Sequence, residues 1–358
     1  MIKQQDFTAR ELARFRDVQR LAYACVEQVG AQLEAGMTEK DAVTLMEAWL
    51  RESGVTTFFH KPFAWFGDRT AFAGFWNDFQ FFPTNRKLEH GMPVILDVAP
   101  LVDGYVADIG WSTFFGEESP EYKQLKRDLI AYRALILDGV KAGRTFRDIY
   151  QDVDALIARQ GYVSAHRKYP QRVLAHRVAK IEESWWTNRH LFGFGLDQFT
   201  WLVPQGLRAR LNPAQNESPL WNDGIESDHK PQPGVWAVEP HLDCHGIGAK
   251  WEEILVITED DAYWLDEETP HMIEARARGW VGRKAAAKPA AKKAPPKKAV
   301  PKKTATQKAA AKKVAPGKIS PQRAPTKKVS AKKASTKKTG IKKAAAKKSV
   351  IRKQTRAT

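Results

Sequence analysis

From Asp6 to Leu33 the apolar positions Leu12, Phe15, Val18, Ala22, Cys25, Val26 and Val29 recur at helical spacing and predict an amphipathic helix. The segment "AGMTEKDAVTLMEAWLRESG" follows, with Thr38 as N-cap, Asp41 three residues on and Gly54 as the stop. Another helix is predicted from Ser119, where Pro120 takes the first helical position, to about Val140. The next segment, "AGRTFRDIYQDVDALIARQG", repeats the earlier one. Ala35, Gly36, Thr38, Asp41, Ala48 and Gly54 recur as Ala142, Gly143, Thr145, Asp148, Ala155 and Gly161.

Between and after these helices the pattern shifts to strands. "VILDVA" and "YVADIGWSTFF" flank an Asp103-Gly104 pair, a strong hairpin signal. Pairing centred between Val102 and Asp103 would set Asp97 opposite Asp108, with side chains roughly 5 Å apart. Facing carboxylates in an apolar hairpin repel, so a shared proton, a Lys or Arg, or a metal must neutralise them; this hairpin holds no Lys or Arg. A second hairpin, Val235 to Thr258, pairs about His245 and Gly246 and sets Glu239 opposite Glu252. Together the four carboxylates suit one or two divalent cations. Each half of the chain thus reads as helix, capped helix and carboxylate-bearing hairpin, and a duplication would bring the two hairpins to a shared centre.

The aromatic stretch "FFHKPFAWFGDRTAFAGFWNDFQFFPTN" precedes the first hairpin, with Trp65, Phe66, Trp76 and Phe81 on what reads as a loop-rich segment. Residues 201–233 are rich in Pro, Asn and Gly and lack periodicity; a loop that long predicts a lid, with Trp201 and Trp221 facing in. His176 sits among basic residues and reads as structural or surface-exposed.

Charge changes the picture at the C-terminal end. Of 58 Lys and Arg, 27 lie in residues 283–358, which contain no Asp or Glu; the remaining 31 face 41 acids, a net of −10. The overall +17 is therefore an acidic domain joined to a basic tail without Trp, Phe or Tyr, which cannot build a core. The expected division is a globular domain, 1–278, and a disordered Lys/Ala/Pro-rich tail, 279–358. Lysines such as Lys292, Lys293, Lys297, Lys298, Lys302, Lys303, Lys312 and Lys313 are mobile point charges suited to the phosphates of a nucleic acid or another polyanion. Cys25 and Cys244 are too few for a disulfide framework, and no run reaches membrane-spanning length. The expected location is cytoplasmic or nucleoid-associated, with no membrane partner.

The motifs "DVAPLVDGYVADIGWSTFFG", "GFGLDQF", "GVWAVEP" and "AKWEEILVITEDD" resemble the pita-bread metallopeptidases, which include methionine aminopeptidases, Xaa-Pro aminopeptidases and creatinase. The tail resembles those of linker histones. The resemblance implies an α+β fold of two pseudo-symmetric halves and a two-metal centre in which Asp97, Asp108, Glu239 and Glu252 match the carboxylate ligands. Glu252 is preferred to Glu253 because it stands six residues before Thr258. The family's histidines fall on Gln80, Phe192 and Phe199, so the imidazoles are expected to be missing, with His190 and His241 as replacement ligands. An all-oxygen shell would favour Mn²⁺ or Mg²⁺ over Zn²⁺. Gln80, Phe81, Phe192, Phe199, Trp201 and Trp221 would line the substrate pocket. The expected activity is metal-dependent hydrolysis of a peptide or small amide in the manner of Xaa-Pro peptidases, weakened by the lost histidines. The alternative is an inactive peptide-binding domain tethered to nucleic acid. A homodimer is a further expected association.

Overall fold

Residues 2–182, 189–191, 193–196 and 198–282 are described by the computed structural model. Phe192 and the tail lysines lie outside them. Thr8 and Thr38 start α1 (Ala9–Gly30) and α2 (Glu39–Glu52) with reciprocal caps: each hydroxyl accepts the N–H three residues on, and Glu11 or Asp41 accepts the threonine's own N–H. Ser119 caps α3 (Pro120–Leu129), and α4 (Ala131–Lys141) follows. The single helix expected there is divided at Ile130, where Ile130 and Arg133 bond three residues back instead of four. Thr145 caps α5 (Phe146–Arg159). The repeated segments thus share a threonine cap, and the glycines that leave them, Gly54 and Gly161, adopt φ of 87° and 83°.

Each pair of repeated elements covers its own sheet. In the first half, strand Met92–Val102 pairs antiparallel with Thr57–Phe66 on one side and with Tyr105–Val106 and Ile109–Phe115 on the other. Aliphatic residues of this sheet, including Val94, Leu96 and Val98, pack under Val26, Val29, Met46 and Leu50 of α1 and α2. In the second half, Gly234–Val238 lies between Ala175–Val178 and Glu253–Ile257, and Trp236, Val238 and Leu255 pack under Tyr132, Ile136, Phe146 and Val153 of α4 and α5. A smaller sheet of His241–Cys244, Ile247–Lys250 and Val163–Ser164 extends the second hairpin.

The registers differ in one instructive way. Asp103 and Gly104 both have positive φ, 50° and 83°, so they form the two central residues of a primed turn. That sets Val102 opposite Tyr105 and Asp97 opposite Gly110, not Asp108. Asp108 instead occupies the break between Tyr105–Val106 and Ile109–Phe115. The second hairpin has the expected centre: His245 and Gly246, φ 53° and 88°, make the turn, and His241 pairs with Lys250 and Val238 with Glu253.

The segment read as loop-rich contains a strand: Trp65 and Phe66 end Thr57–Phe66 and are buried, whereas Trp76 is 83% exposed. Residues 201–233 contain α6 (Val203–Leu211). Its Val203, Leu207 and Leu211 do recur every four residues but are exposed. A final helix, α7 (Pro270–Ala277), follows the last strand. No described helix is long and apolar enough to cross a membrane.

Candidate functional site

The two hairpins meet back to back. Glu252 N–H donates to Gly110 O at 3.0 Å, and Ser112 Oγ both donates to Lys250 O and accepts from Lys250 N–H, at 2.7 and 2.8 Å. Three of the four carboxylates, Asp108, Glu239 and Glu252, sit just outside a strand, and Asp97 lies inside one. Asp97 lies within its strand opposite Gly110, Asp108 in the break after Val106, and Glu239 just beyond Val238, its N–H bonded to Leu174 O. Glu252 lies between Lys250 and the strand that begins at Glu253. Each is at most 7% exposed.

The strand next door supplies His60. The ladder between Thr57–Phe66 and Met92–Val102 slips on both sides of His60, between Phe58 and His60 and again between His60 and Phe63. Bulges of this kind re-aim a side chain. His60 Nε2 lies 2.9 Å from Asp108 Oδ1 and 3.3 Å from Asp97 Oδ1. From the second half, His176 Nε2 stands 3.2 Å from Asp108 Oδ2 and 3.9 Å from Glu252 Oε1. The reading of His176 as structural or surface is therefore corrected: it is buried and faces the acids.

The largest departure from expectation is Lys250. Its ammonium lies 2.7 Å from Asp97 Oδ2, 2.9 Å from Glu239 Oε2 and 2.9 Å from Glu252 Oε2. The first hairpin lacks a cation of its own, and the second reaches across to provide one. Sequence held a signal for this: Lys250 precedes Glu252 by two residues, a spacing that on a strand places both side chains on one face. His60 gave no such signal, because its bulges break the alternation on which strand parity depends.

Electrostatics follow from this packing. Burial would lower the His60 imidazole, but the charge and hydrogen bond of Asp108, with the charge of Asp97, raise it to about 9. Burial opposes charge on His176 as well, and its bond to Asp108 again outweighs it. Asp108 is held well below the usual carboxylate range, burial being overcome by the two imidazoles. Burial, followed by the charge of Glu239, pushes Glu252 well up, and burial likewise raises Glu239. Lys250 stays firmly an ammonium: burial disfavours its charge, but Asp97, Glu239 and Glu252 more than compensate. One ammonium and two imidazoles thus face four carboxylates, of which burial favours the neutral form of Glu239 and Glu252.

The remaining expected residues divide. His241 is fully buried, its Nδ1 2.9 Å from Tyr169 Oη, and burial, reinforced by Lys250, keeps its pKa well below the usual histidine value. Tyr169 in turn lies beneath Lys250 Nζ, 5.4 Å from ring centre to nitrogen. His190 does not join the acids; its Nε2 is hydrogen-bonded to Phe58 O at 3.0 Å. Gln80 is a local cap, accepting the N–H of Trp76 and of Asn77. Phe81 packs with Phe72, Phe75 and Tyr169. Phe199 is 37% exposed on the turn Gln198–Leu202. Trp201 packs against Phe59, whose ring stacks on His176. The inward lid position expected for Trp221 is corrected: its ring stacks on Phe146 at 4.2 Å and its Nε1 donates to Phe146 O, in the core of the second half. Glu253, the residue after Glu252, is paired instead with Arg133 and His271.

Two groups of donors can converge on a metal ion: His60, Asp97 and Asp108; and Asp108, His176 and Glu252. Buried Asp97 Oδ1 has no hydrogen bond among the described residues, a second sign that a cation fits on the imidazole side. The expected imidazole-free oxygen shell is not what the chain presents, so hardness of the donors no longer disfavours zinc.

A two-half α+β domain with carboxylates and imidazoles buried at the junction of its hairpins defines the class as a metallohydrolase-type fold. The chain belongs to metallopeptidase family M24, whose sequence model matches residues 13–259. An uncharacterized peptidase of Staphylococcus aureus strain MSSA476 is 25% identical over 161 residues, 45% of this chain and 43% of that protein. The chain thus matches less than half the length of that relative. Among solved structures, it resembles an X-Pro aminopeptidase from Thermotoga maritima MSB8, with a TM-score of 0.54, 19% identity, and 73% and 62% of the two chains covered. It also resembles an Xaa-Pro dipeptidase from Bacillus anthracis, with a TM-score of 0.52, 20% identity, and 74% and 61% covered. At these identities the likeness establishes the pita-bread fold.

Proposed function

We propose that the domain hydrolyses an amide bond in a peptide or small amide, using a divalent cation held among Asp97, Asp108, Glu252, His60 and His176. The observation that carries this reading is the pair of buried donor groups that share Asp108, one with His60 and Asp97 and the other with His176 and Glu252, together with Asp97 Oδ1, which accepts no hydrogen bond among the described residues. A cation bound there would polarise an amide carbonyl and make water more acidic, the general contributions of a metal to hydrolysis. The chain's own residues hold these donors at fixed separation, offset their excess charge through Lys250 and shield them from bulk water. The structural resemblance to an X-Pro aminopeptidase and an Xaa-Pro dipeptidase makes Xaa-Pro peptides the first substrates to try. The test is turnover of Xaa-Pro and N-terminal Met peptides by the metal-stripped protein resupplied with Mn²⁺ or Zn²⁺, with Asp108→Asn as control. Cleavage that needs the added metal and is lost in the control supports the reading; no cleavage with either metal ends it.

The three carboxylate contacts of Lys250 favour a second reading, a domain that binds a peptide without cleaving it. Peptide binding by calorimetry, with no product by mass spectrometry, distinguishes the two. On either reading the tail serves as a counterion-release anchor for nucleic acid, which would associate the protein with the nucleoid. Removing residues 283–358 should abolish retention on DNA or RNA at low salt, and salt-independent retention by the full chain would contradict it.

A further inference from the structure

We infer that Lys250 is a built-in cation standing in the place of one metal ion, so that this centre loads one divalent ion where four carboxylates could otherwise accommodate two. The inference rests on the metal-binding reading above and specifies its stoichiometry.

The carboxylates are shared between two positions. Asp97 turns Oδ2 to Lys250 and Oδ1 to His60; Glu252 turns Oε2 to Lys250 and Oε1 to His176. Each therefore bridges an ammonium on one side and the imidazole-lined position on the other, as a carboxylate bridges two cations. An ammonium has three N–H donors, and Asp97, Glu239 and Glu252 supply one oxygen each, so Lys250 is fully satisfied without water. Its side chain is only 2% exposed.

The backbone is shaped to keep the ammonium there. Lys250 N–H and O are both tied to Ser112, and His241 is its cross-strand partner. Opposite the aliphatic shaft stands Gly110, where a Cβ would overlap Lys250 Cε. Gly110 is not at positive φ, so the glycine answers to space, not to backbone conformation. A metal ion at the ammonium position would have to expel a buried, fully bonded charge from three acids. The imidazole side keeps Asp97 Oδ1, which accepts no hydrogen bond among the described residues, and the two donor groups joined at Asp108, one with His60 and Asp97 and the other with His176 and Glu252.

The test is metal stoichiometry, read apart from activity. Full-length protein stripped by chelation is titrated calorimetrically with Mn²⁺, and bound manganese is counted by elemental analysis in the natural chain, Lys250→Met and Lys250→Arg. The expected result is one ion in the natural chain and in Lys250→Arg, and two in Lys250→Met. Two ions in the natural chain, or one in both it and a folded Lys250→Met, overturns the inference while leaving the metal-binding reading intact. No ion in the natural chain but uptake by Lys250→Met keeps Lys250 as the occupying cation and overturns the metal-dependent reading. No uptake by either overturns both. Should circular dichroism show that Lys250→Met does not fold, the counts for the natural chain and Lys250→Arg decide: one ion in each supports the inference and two in either rejects it.

Discussion

Gly110 and Lys250 are fitted to each other across the junction of the two hairpins: a Cβ on Gly110 would overlap Lys250 Cε and lie 2.8 Å from Nζ. Gly110 is also the strand partner of Asp97 and the acceptor for Glu252 N–H. One small residue therefore sets the separation of two acids and admits the cation between them.

Gly110→Ala should displace the Lys250 shaft from its carboxylates and destabilise the domain by about 1–3 kcal/mol, the usual range for overpacking a dense interior. In a Lys250→Ala background, which lacks the Cδ, Cε and Nζ that the new Cβ would meet, the same change should cost less. Urea denaturation of the four proteins in this double-mutant cycle measures it. Equal costs in both backgrounds would mean that the shaft and the alanine do not compete.

Arg133 and Glu253 form a buried pair, Nε to Oε1 2.6 Å and Nη2 to Oε2 3.2 Å, beneath Trp264. Arg133→Met leaves the fully buried Glu253 carboxylate with His271 Nε2, 3.1 Å from Oε1, as its remaining side-chain partner and should destabilise by about 3 kcal/mol, the low end of the range for breaking a buried pair, whereas replacing both Arg133 and Glu253 by apolar residues should cost less. Thermal and chemical unfolding of the single and double variants checks this; a double variant no better than the single would count against it.

Glu11 accepts from Lys3 Nζ at 2.7 Å and closes the cap of α1 through Thr8. The Lys3 bond, then the Thr8 backbone bond, lower its pKa to about 2 from an ordinary 4.5. A carboxylate depressed on folding stabilises above its unfolded value and loses that contribution as pH falls through the folded one. Stability should therefore decline between about pH 4.5 and pH 2 by a component that Glu11→Gln lacks. Denaturant midpoints across this range compare the two proteins, and parallel curves would refute the assignment.

Burial pushes the Cys25 thiol up to about 12, and it is fully enclosed, whereas Cys244 is part-exposed. A thiol reagent at neutral pH should modify Cys244 first and reach Cys25 only on unfolding. Mass spectrometry of native and denatured samples should find one adduct, then two; rapid double labelling of the native protein would show that α1 opens readily.

The helix ends were legible because a cap needs only neighbours: Thr38 with Asp41, Ser119 with Pro120 and Gly54 at positive φ act within a few residues. The carboxylate set was legible for a similar reason, since alternation and a turn signal place Asp97, Asp108, Glu239 and Glu252 on hairpins. Even there, the register of the first hairpin was misplaced by two residues, because the left-handed conformation at both Asp103 and Gly104 moves the turn centre. The resembling motifs put the imidazoles at Gln80, Phe192 and Phe199, yet it is His60 and His176, each on a strand, that face the acids.

By itself, then, the sequence determined the two-half organisation, the hairpins with their acids and the separation of an acidic domain from a basic tail, all of which depend on local pattern and composition. Only tertiary structure decided what neutralises those acids. Lys250 lies 153 residues from Asp97, and His176 lies 68 residues from Asp108; their meeting depends on how two sheets dock, and no local periodicity encodes it. The same docking gives Gly110 its meaning, since a missing side chain becomes informative only when the group that fills its space is known.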